Sequence, residues 1–261
     1  AGGGTALFLS NQESLLVLPA ILVMGITGGA VWGMIPAFLK TKYNANEILT
    51  SLMLSYVALL MLSYLVHGPW RDPGGYNFPE SEIFSDSAML PVLLQGTRLN
   101  LGTIFALLSV LITYLLLSRT VLGYQFKVAG LAPLAARYAG FNRSKLIWLS
   151  MIISGGLAGL AGIAEVSGTI GQLLPSVSPG YGFTAIIVAF LGRLNPIGVL
   201  FAGLILALTY IGGENAQIEI GLPAAVTGLF QGIILFYLLA CDVLARYRLR
   251  YKPFLKASSR E

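Results

Sequence analysis

Charged side chains fall in clusters along this chain, and the intervals without them organise the sequence. An unpaired charge at the centre of a bilayer costs about 2.5–3.5 kcal/mol on the most lenient insertion scale. A helix rises about 1.5 Å per residue, so about 20 charge-free residues make one crossing. Seven charge-free stretches stand out: residues 14–39, 48–66, 99–118, 146–164, 166–192, 194–213 and 220–241. Most have the length of a complete helical crossing. The fifth is interrupted in its first half by Gly168, Gly171, Pro175, Pro179, Gly180 and Gly182, so only residues 183–191, extended at most to 193, read as helix. Irregular backbone at membrane depth is tolerated only when buried in protein or facing a watery cavity. That segment is therefore the first candidate for lining a path.

Composition agrees with this pattern. A length of 261 residues suits one or two soluble domains, but 56% hydrophobic and 10% charged residues, with a mean hydropathy of +0.79, exclude a water-soluble globule. The expected fold class is all-α: one polytopic transmembrane helical bundle over residues 1–261, with a short or half helix near residues 183–191. The single cysteine, Cys241, excludes a disulfide framework and a multi-cysteine metal site. No metal site is expected.

Lys and Arg set the orientation. With the C-terminus inside, Lys40, Lys42, Arg119, Lys127, Arg137, Arg143, Lys145, Arg193 and the basic residues from Arg246 to Arg260 fall inside, fourteen of the sixteen. Arg71 and Arg98 fall outside, together with Asp72, Glu80, Glu82, Asp86, Glu214 and Glu219. The excess of basic residues on one side predicts seven crossings, N-terminus out and C-terminus in. It also accounts for the net charge of +5 without nucleic acid as a partner. An odd count with an external start, and no basic leader at Ala1, predicts further helices upstream of this sequence. The glycines at 25, 28 and 29 and at 155, 156, 159 and 162 suit close helix packing. The external loop, residues 67–99, is rich in Pro and Gly and too short to enclose a core, so it reads as ordered turns.

Chemistry is sparse. His67, the one histidine, sits at the end of a crossing and reads as an interfacial polar residue. No nucleophile and base, and no paired aspartates in apolar sequence, announce an intramembrane enzyme, so no catalytic residue is assigned. Ion-coupled transport needs ionisable groups at depth. Glu165 is the one candidate, and it also reads as an interfacial carboxylate. The energy source is therefore expected in a partner.

The stretch from Gly123 to Asn142 is the most informative. Pro133 suits the first turn of a short helix, Leu134 to Tyr138 its body, and Gly140 its left-handed stop. Such a helix between two crossings suits docking in another protein's groove, or it is an ordinary amphipathic connector.

The run from Gly130 to Gly140, with a Gly-x-x-x-x-Ala-Ala-x-x-x-Gly pattern, resembles the ATPase-coupling loop of ABC-importer permeases of the branched-chain amino acid, ribose and nucleoside branch. Residues 46–56, 154–162 and 180–193, and the external Gly68-Pro69-Trp70-Arg71-Asp72-Pro73, resemble the simple-sugar and nucleoside permeases of that branch. Leu131, Ser55 and Asn195 depart from its pattern. The resemblance implies a cytoplasmic coupling helix with Ala129, Gly130, Ala135, Ala136, Arg137 and Gly140 docking the ATPase. It implies a solute path at Asn46, Ser51, Ser55, Gly180, Tyr181, Phe183 and Thr184, and a binding-protein platform around Trp70, Arg71, Asp72 and Glu80. The implied partners are a second permease subunit, identical or paralogous, two ATP-binding subunits that hold ATP and Mg, an extracytoplasmic solute-binding protein and membrane lipid. This chain would carry no cofactor and hydrolyse nothing, and its place would be a bacterial inner membrane. The rival readings are a stand-alone channel or facilitator, which needs no coupling helix, and a secondary transporter driven through Glu165.

Overall fold

The computed structural model describes residues 1–9, 16–75, 78–94, 96–97, 99–175, 177, 180–221, 223 and 225–246. Ser14, Arg98, Pro179 and the basic residues from 248 to 260 lie outside the described residues. The described chain is a polytopic helical bundle: α1 (Gly2–Phe8), α2 (Val17–Tyr43), α3 (Glu47–His67), α4 (Leu101–Arg119), α5 (Val121–Leu131), α6 (Pro133–Tyr138), α7 (Arg143–Glu165), α8 (Tyr181–Leu191), α9 (Pro196–Ile220) and α10 (Ala225–Arg246). Among the described residues the extended structure is one isolated antiparallel bridge, between Val92 and Asn100. Local chemistry starts the helices. The side chains of Asn46, Asn100, Thr120, Asn142 and Asn195 each accept a hydrogen bond from an N–H in the first turn that follows.

Among the described residues, five helices are long and apolar enough to cross a membrane: α2, α3, α4, α7 with its extension to Ile170, and α9. The helix ends differ from the charge-free intervals. Helix α2 continues through Lys40 and Lys42, and α9 through Glu214 and Glu219. A charge limits how deep a residue sits, not whether the helix continues, because terminal turns reach hydrated headgroups. The same reasoning applies beyond Glu165. Residues Val166–Ile170 continue α7 as one π-helical turn, closed by Gly171 at φ 77°, so the irregular backbone begins later than the glycine pattern predicts. Helices α1 and α5 carry too few apolar repeats to be expected from sequence.

The chain divides into two compact units, Ala1–Pro179 and Gly180–Glu261. The first is organised by α2 and α7, which run antiparallel in backbone contact. A Cβ on Gly29 would fall on the carbonyl oxygen of Gly155, one on Gly155 on that of Gly29, and one on Gly159 on that of Gly25. Gly33 meets the carbonyl of Met151 in the same way. The small-residue spacing of four on both helices makes this seam, in which backbone dispersion replaces side-chain interdigitation. At one end of it the Trp148 indole N–H donates to Thr41 Oγ1 at 3.2 Å. At the other, Ile21, Ile163 and Val166 form a core with Phe84, Ala88 and Leu173. Helices α3 and α4 bury almost nothing within the unit: Val66 alone in α3 and no residue in α4. Such all-round apolar surface is stable against lipid and would aggregate in water.

In the second unit, α8 turns sharply into α9. Leu194 N–H donates to Ala189 O and Arg193 N–H to Phe190 O, a helix-terminating pair of bonds. Arg193 and Leu194 both take the left-handed region, at φ 53° and 55°. Glycine is reserved for position 192, where any side chain would strike the backbone of Gly198 and Val199. Helix α10 packs with α8 and α9.

The seam makes a direct prediction. Gly159→Ala should lower thermal stability in detergent by roughly 1–3 kcal/mol, since an added methyl group forces α2 and α7 apart. Gly162→Ala, three residues on, meets nothing described within 4 Å and should be neutral or stabilising by up to about 1 kcal/mol. Equal melting temperatures for the two variants would contradict the seam.

Candidate functional site

The short helix α6 stands where Pro133 and Gly140 place it. Pro133 occupies its first turn, and Gly140 follows at φ 76°, with Phe141 N–H donating back to Ala136 O at 3.0 Å. Helix α5 runs directly into it, and Val128 O accepts from Ala132 N–H at the join. The side chains then divide sharply. Leu134 is 74% and Tyr138 94% exposed, and Leu131 is also exposed, whereas Ala136 is 5% exposed and faces the unit's own interior. Ala135, Arg137, Gly130 and Gly140 are exposed and Ala129 half-buried. The exposed apolar face is therefore Leu131, Leu134 and Tyr138, residues the Ala-Ala pattern does not single out. Exposed large apolar side chains on a six-residue helix were the available signal.

This end of the first unit is basic. Lys40, Lys42, Arg119, Lys127, Arg137, Arg143 and Lys145 cluster where α2 and α4 end and α7 begins, and Glu47 is the one described acid among them. Glu47 Oε2 lies 2.6 Å from Lys40 Nζ, which clips the α2–α3 turn. Asn44 at φ 51° reverses the chain there.

Near the opposite end lies a cavity of about 620 Å³. Its wall combines seam glycines Gly25, Gly29 and Gly159 and their neighbours Gly28 and Gly162 with Trp32, Met61, Leu62, Trp70 and Leu173, and its described lining has no charged side chain. A charged solute entering it would lose hydration without compensation. A neutral solute with a flat apolar face finds two indoles and open glycine backbone.

The sequence-derived path residues lie elsewhere. Asn46 caps α3 through Ile48 N–H at 3.0 Å, and the exposed Ser51 and Ser55 hydroxyls donate to carbonyls of their own helix, Ile48 O and Ser51 O. Helix α3 meets the cavity through Met61, Leu62 and Leu65 instead. Gly180, Tyr181, Phe183 and Thr184 belong to the second unit, where Gly180 caps α8 at φ 98°. Tyr181 meets Tyr210 edge-on at 5.7 Å, the buried Thr184 hydroxyl donates to Tyr181 O, and Phe183 is exposed. Of the platform residues, Trp70 packs on Gly4 and lines the cavity. Asp72 holds the turn at Gly74 N–H, and Glu80 accepts from Gln172 Nε2 at 2.9 Å. His67 Nδ1 lies 2.8 Å from Ser63 O of its own helix, and Glu165 ends α7.

Residues 1–239 match the family model described as branched-chain amino acid transport system, permease component. The chain belongs to that family. Its relatives include a glucose ABC transporter permease of Haloferax volcanii, 37% identical over 248 residues that cover 91% of this chain and 65% of the relative. A guanosine ABC transporter permease of Bacillus subtilis is 33% identical, with 90% and 66% covered. A nucleoside ABC transporter permease of Lactococcus lactis is 29% identical, with 89% and 66% covered. This permease chain thus spans about two thirds of the length of each of these. No solved structure matches it.

The division of α6 into an outer and an inner face predicts opposite outcomes for two acidic substitutions in the permease. Ala136→Glu places a carboxylate in the interior and should destabilise the protein by about 2 kcal/mol or more. Leu134→Glu should stay within about 0.5 kcal/mol of the parent. Thermal unfolding in detergent reads both, and a destabilised Leu134→Glu with an unaffected Ala136→Glu would reverse the assignment.

Proposed function

We propose that this chain is the membrane-spanning permease subunit of an ATP-driven importer for a neutral, ring-bearing polar solute such as a nucleoside or simple sugar. The observation that carries the reading is α6, a short helix between two membrane-spanning helices, closed by a left-handed glycine and exposing Leu131, Leu134 and Tyr138. That face suits burial in the groove of an ATP-binding subunit. The basic cluster around it favours a cytoplasmic position for this end, with the multi-pass chain in a bacterial inner membrane and the C-terminus inside. On this reading two permease subunits, alike or paralogous, enclose the path, two ATP-binding subunits dock beneath, and an extracytoplasmic binding protein delivers solute. ATP and Mg belong to the ATP-binding subunits.

Transport follows from differential affinity. ATP favours a closed ATPase dimer, and closure acts on the permease through α6 because α5 contacts both α6 and α7, which follow it in the chain. Names borne by the relatives, glucose, guanosine and nucleoside, support a solute with a ring and many hydroxyl or amide groups. The uncharged cavity with Trp32 and Trp70 supports the same class.

The test is affinity purification in mild detergent with mass spectrometry and an ATPase assay on what co-elutes. An ATP-binding subunit should co-purify with the parent and be lost from the Leu134→Glu/Tyr138→Glu variant, whose surface positions leave folding intact. Arg at position 140 is a poor probe, because its left-handed backbone strains any side chain. Trp32→Ala should lower ATP-dependent uptake of the transported nucleoside or pentose by about tenfold or more with the ATPase still bound. A chain that purifies alone and moves solute in vesicles without ATP would establish the channel reading instead.

A further inference from the structure

The external loop is bound to the end of α7 more closely than a surface turn requires. Ser81, 1% exposed, donates its N–H to Leu173 O at 3.0 Å and accepts from Leu173 N–H at its hydroxyl at 2.9 Å. Gln172 Nε2 donates to Glu80 Oε2 at 2.9 Å. Phe84 N–H donates to Gly171 O and Leu90 N–H to Ser167 O, both at 2.8 Å. Side chains along this segment divide between two edges: Ser81 and Phe84 are buried, while Glu82 and Ile83 are exposed, Ile83 at 75%.

We propose that residues 80–84 form a lever that carries the docking of a solute-loaded extracytoplasmic partner to the cavity wall, with Glu80, Ser81 and Gln172 as its positioning residues. The proposal rests on the permease reading. Its outward edge, Ile83 with the neighbouring Phe78, offers apolar contact. Its inward edge holds residues 167–173, and Leu173 of that segment lines the cavity together with Val166 and with Trp70 from the start of the same loop. A push on the outer edge is therefore passed to the cavity's rim.

The π-turn determines where that displacement ends. The glycine seam locks α7 to α2 below it, whereas the turn Val166–Ile170 departs from α-helical bonding and keeps Ser167 Oγ buried with no hydrogen-bond partner among the described residues. Single π-turns in α-helices are points of adjustment, so strain entering at Leu173 is absorbed there and reshapes the cavity rather than sliding the whole helix.

The experiment uses the complete transporter in lipid nanodiscs, with its ATP-binding subunits, and compares ATPase activity with and without solute-loaded binding protein. Gln172→Glu sets two carboxylates against each other in place of an amide on a carboxylate. The ratio of stimulated to basal ATPase should fall about tenfold, while basal activity and co-purification of the ATP-binding subunits persist. The Glu80→Gln/Gln172→Glu exchange rebuilds the bond with its partners reversed and should restore the ratio, a rescue that general loosening of the loop would not show. An unchanged ratio in Gln172→Glu, or an exchange variant that stays uncoupled, overturns the lever. A parent protein that brings down no ATP-binding subunit overturns the permease reading itself, and the lever with it.

Discussion

The first unit depends on one close contact, the meeting of the α2 and α7 backbones at a seam that tolerates no Cβ. In lipid, apolar side chains gain nothing by leaving one hydrocarbon environment for another, so helix association must come from dispersion between closely packed atoms and from polar bonds. Glycines spaced by four on both helices let main chain touch main chain. Everything else in the unit is located by this pair. The basic end is positioned by where α2 stops and α7 starts, and the loop of residues 67–99 by the core at the other end. Glycines of this seam, with Gly28 and Gly162 beside them, also line the cavity. One sequence feature thus serves both close packing and the wall of a cavity.

Helices α3 and α4 follow a different principle. They contribute little to the buried core, and their apolar surface is complete on its own terms only when lipid or another protein covers it. Their roles in this unit are made at their ends. Helix α3 is clipped to α2 by the Lys40–Glu47 pair and delivers Trp70 to the cavity, and α4 brings Asn100 against Gly168. The Ser51 and Ser55 hydroxyls along α3 bond to their own backbone.

Much of the fold was legible because the bilayer imposes a simple rule on charge. It predicts seven crossings, one of them a half helix. Among the described residues five helices are long and apolar enough to cross, while α8 stands where the half helix is expected. The short helix at Pro133 was legible because proline and glycine mark its two ends by backbone geometry alone. The remainder depends on contacts between residues far apart in sequence. That Ala136 faces inward while Leu134 and Tyr138 face out requires the helix to be seated. That Glu80 is bonded to Gln172 rather than free for a docking partner requires the loop to be folded. The extension of α7 past Glu165 was hidden because a carboxylate at a helix end looks, in sequence, like the end of a helix. Trp32 had no local pattern to mark it, and Trp70 was marked only as part of the outer loop, since the cavity they share depends on contacts between distant turns.

The seam also has a consequence for biogenesis. Gly29 and Gly155 stand 126 residues apart in the chain, so α2 enters the membrane well before its partner exists. At a synthesis rate of about 5–20 residues per second, roughly 6–25 s pass between the two. Throughout that interval the glycine face of α2, poor in side chains to shield its backbone, waits in lipid or against whatever helper protein covers it. The order of synthesis, and not only the final packing, therefore places a demand on the cell that makes this protein.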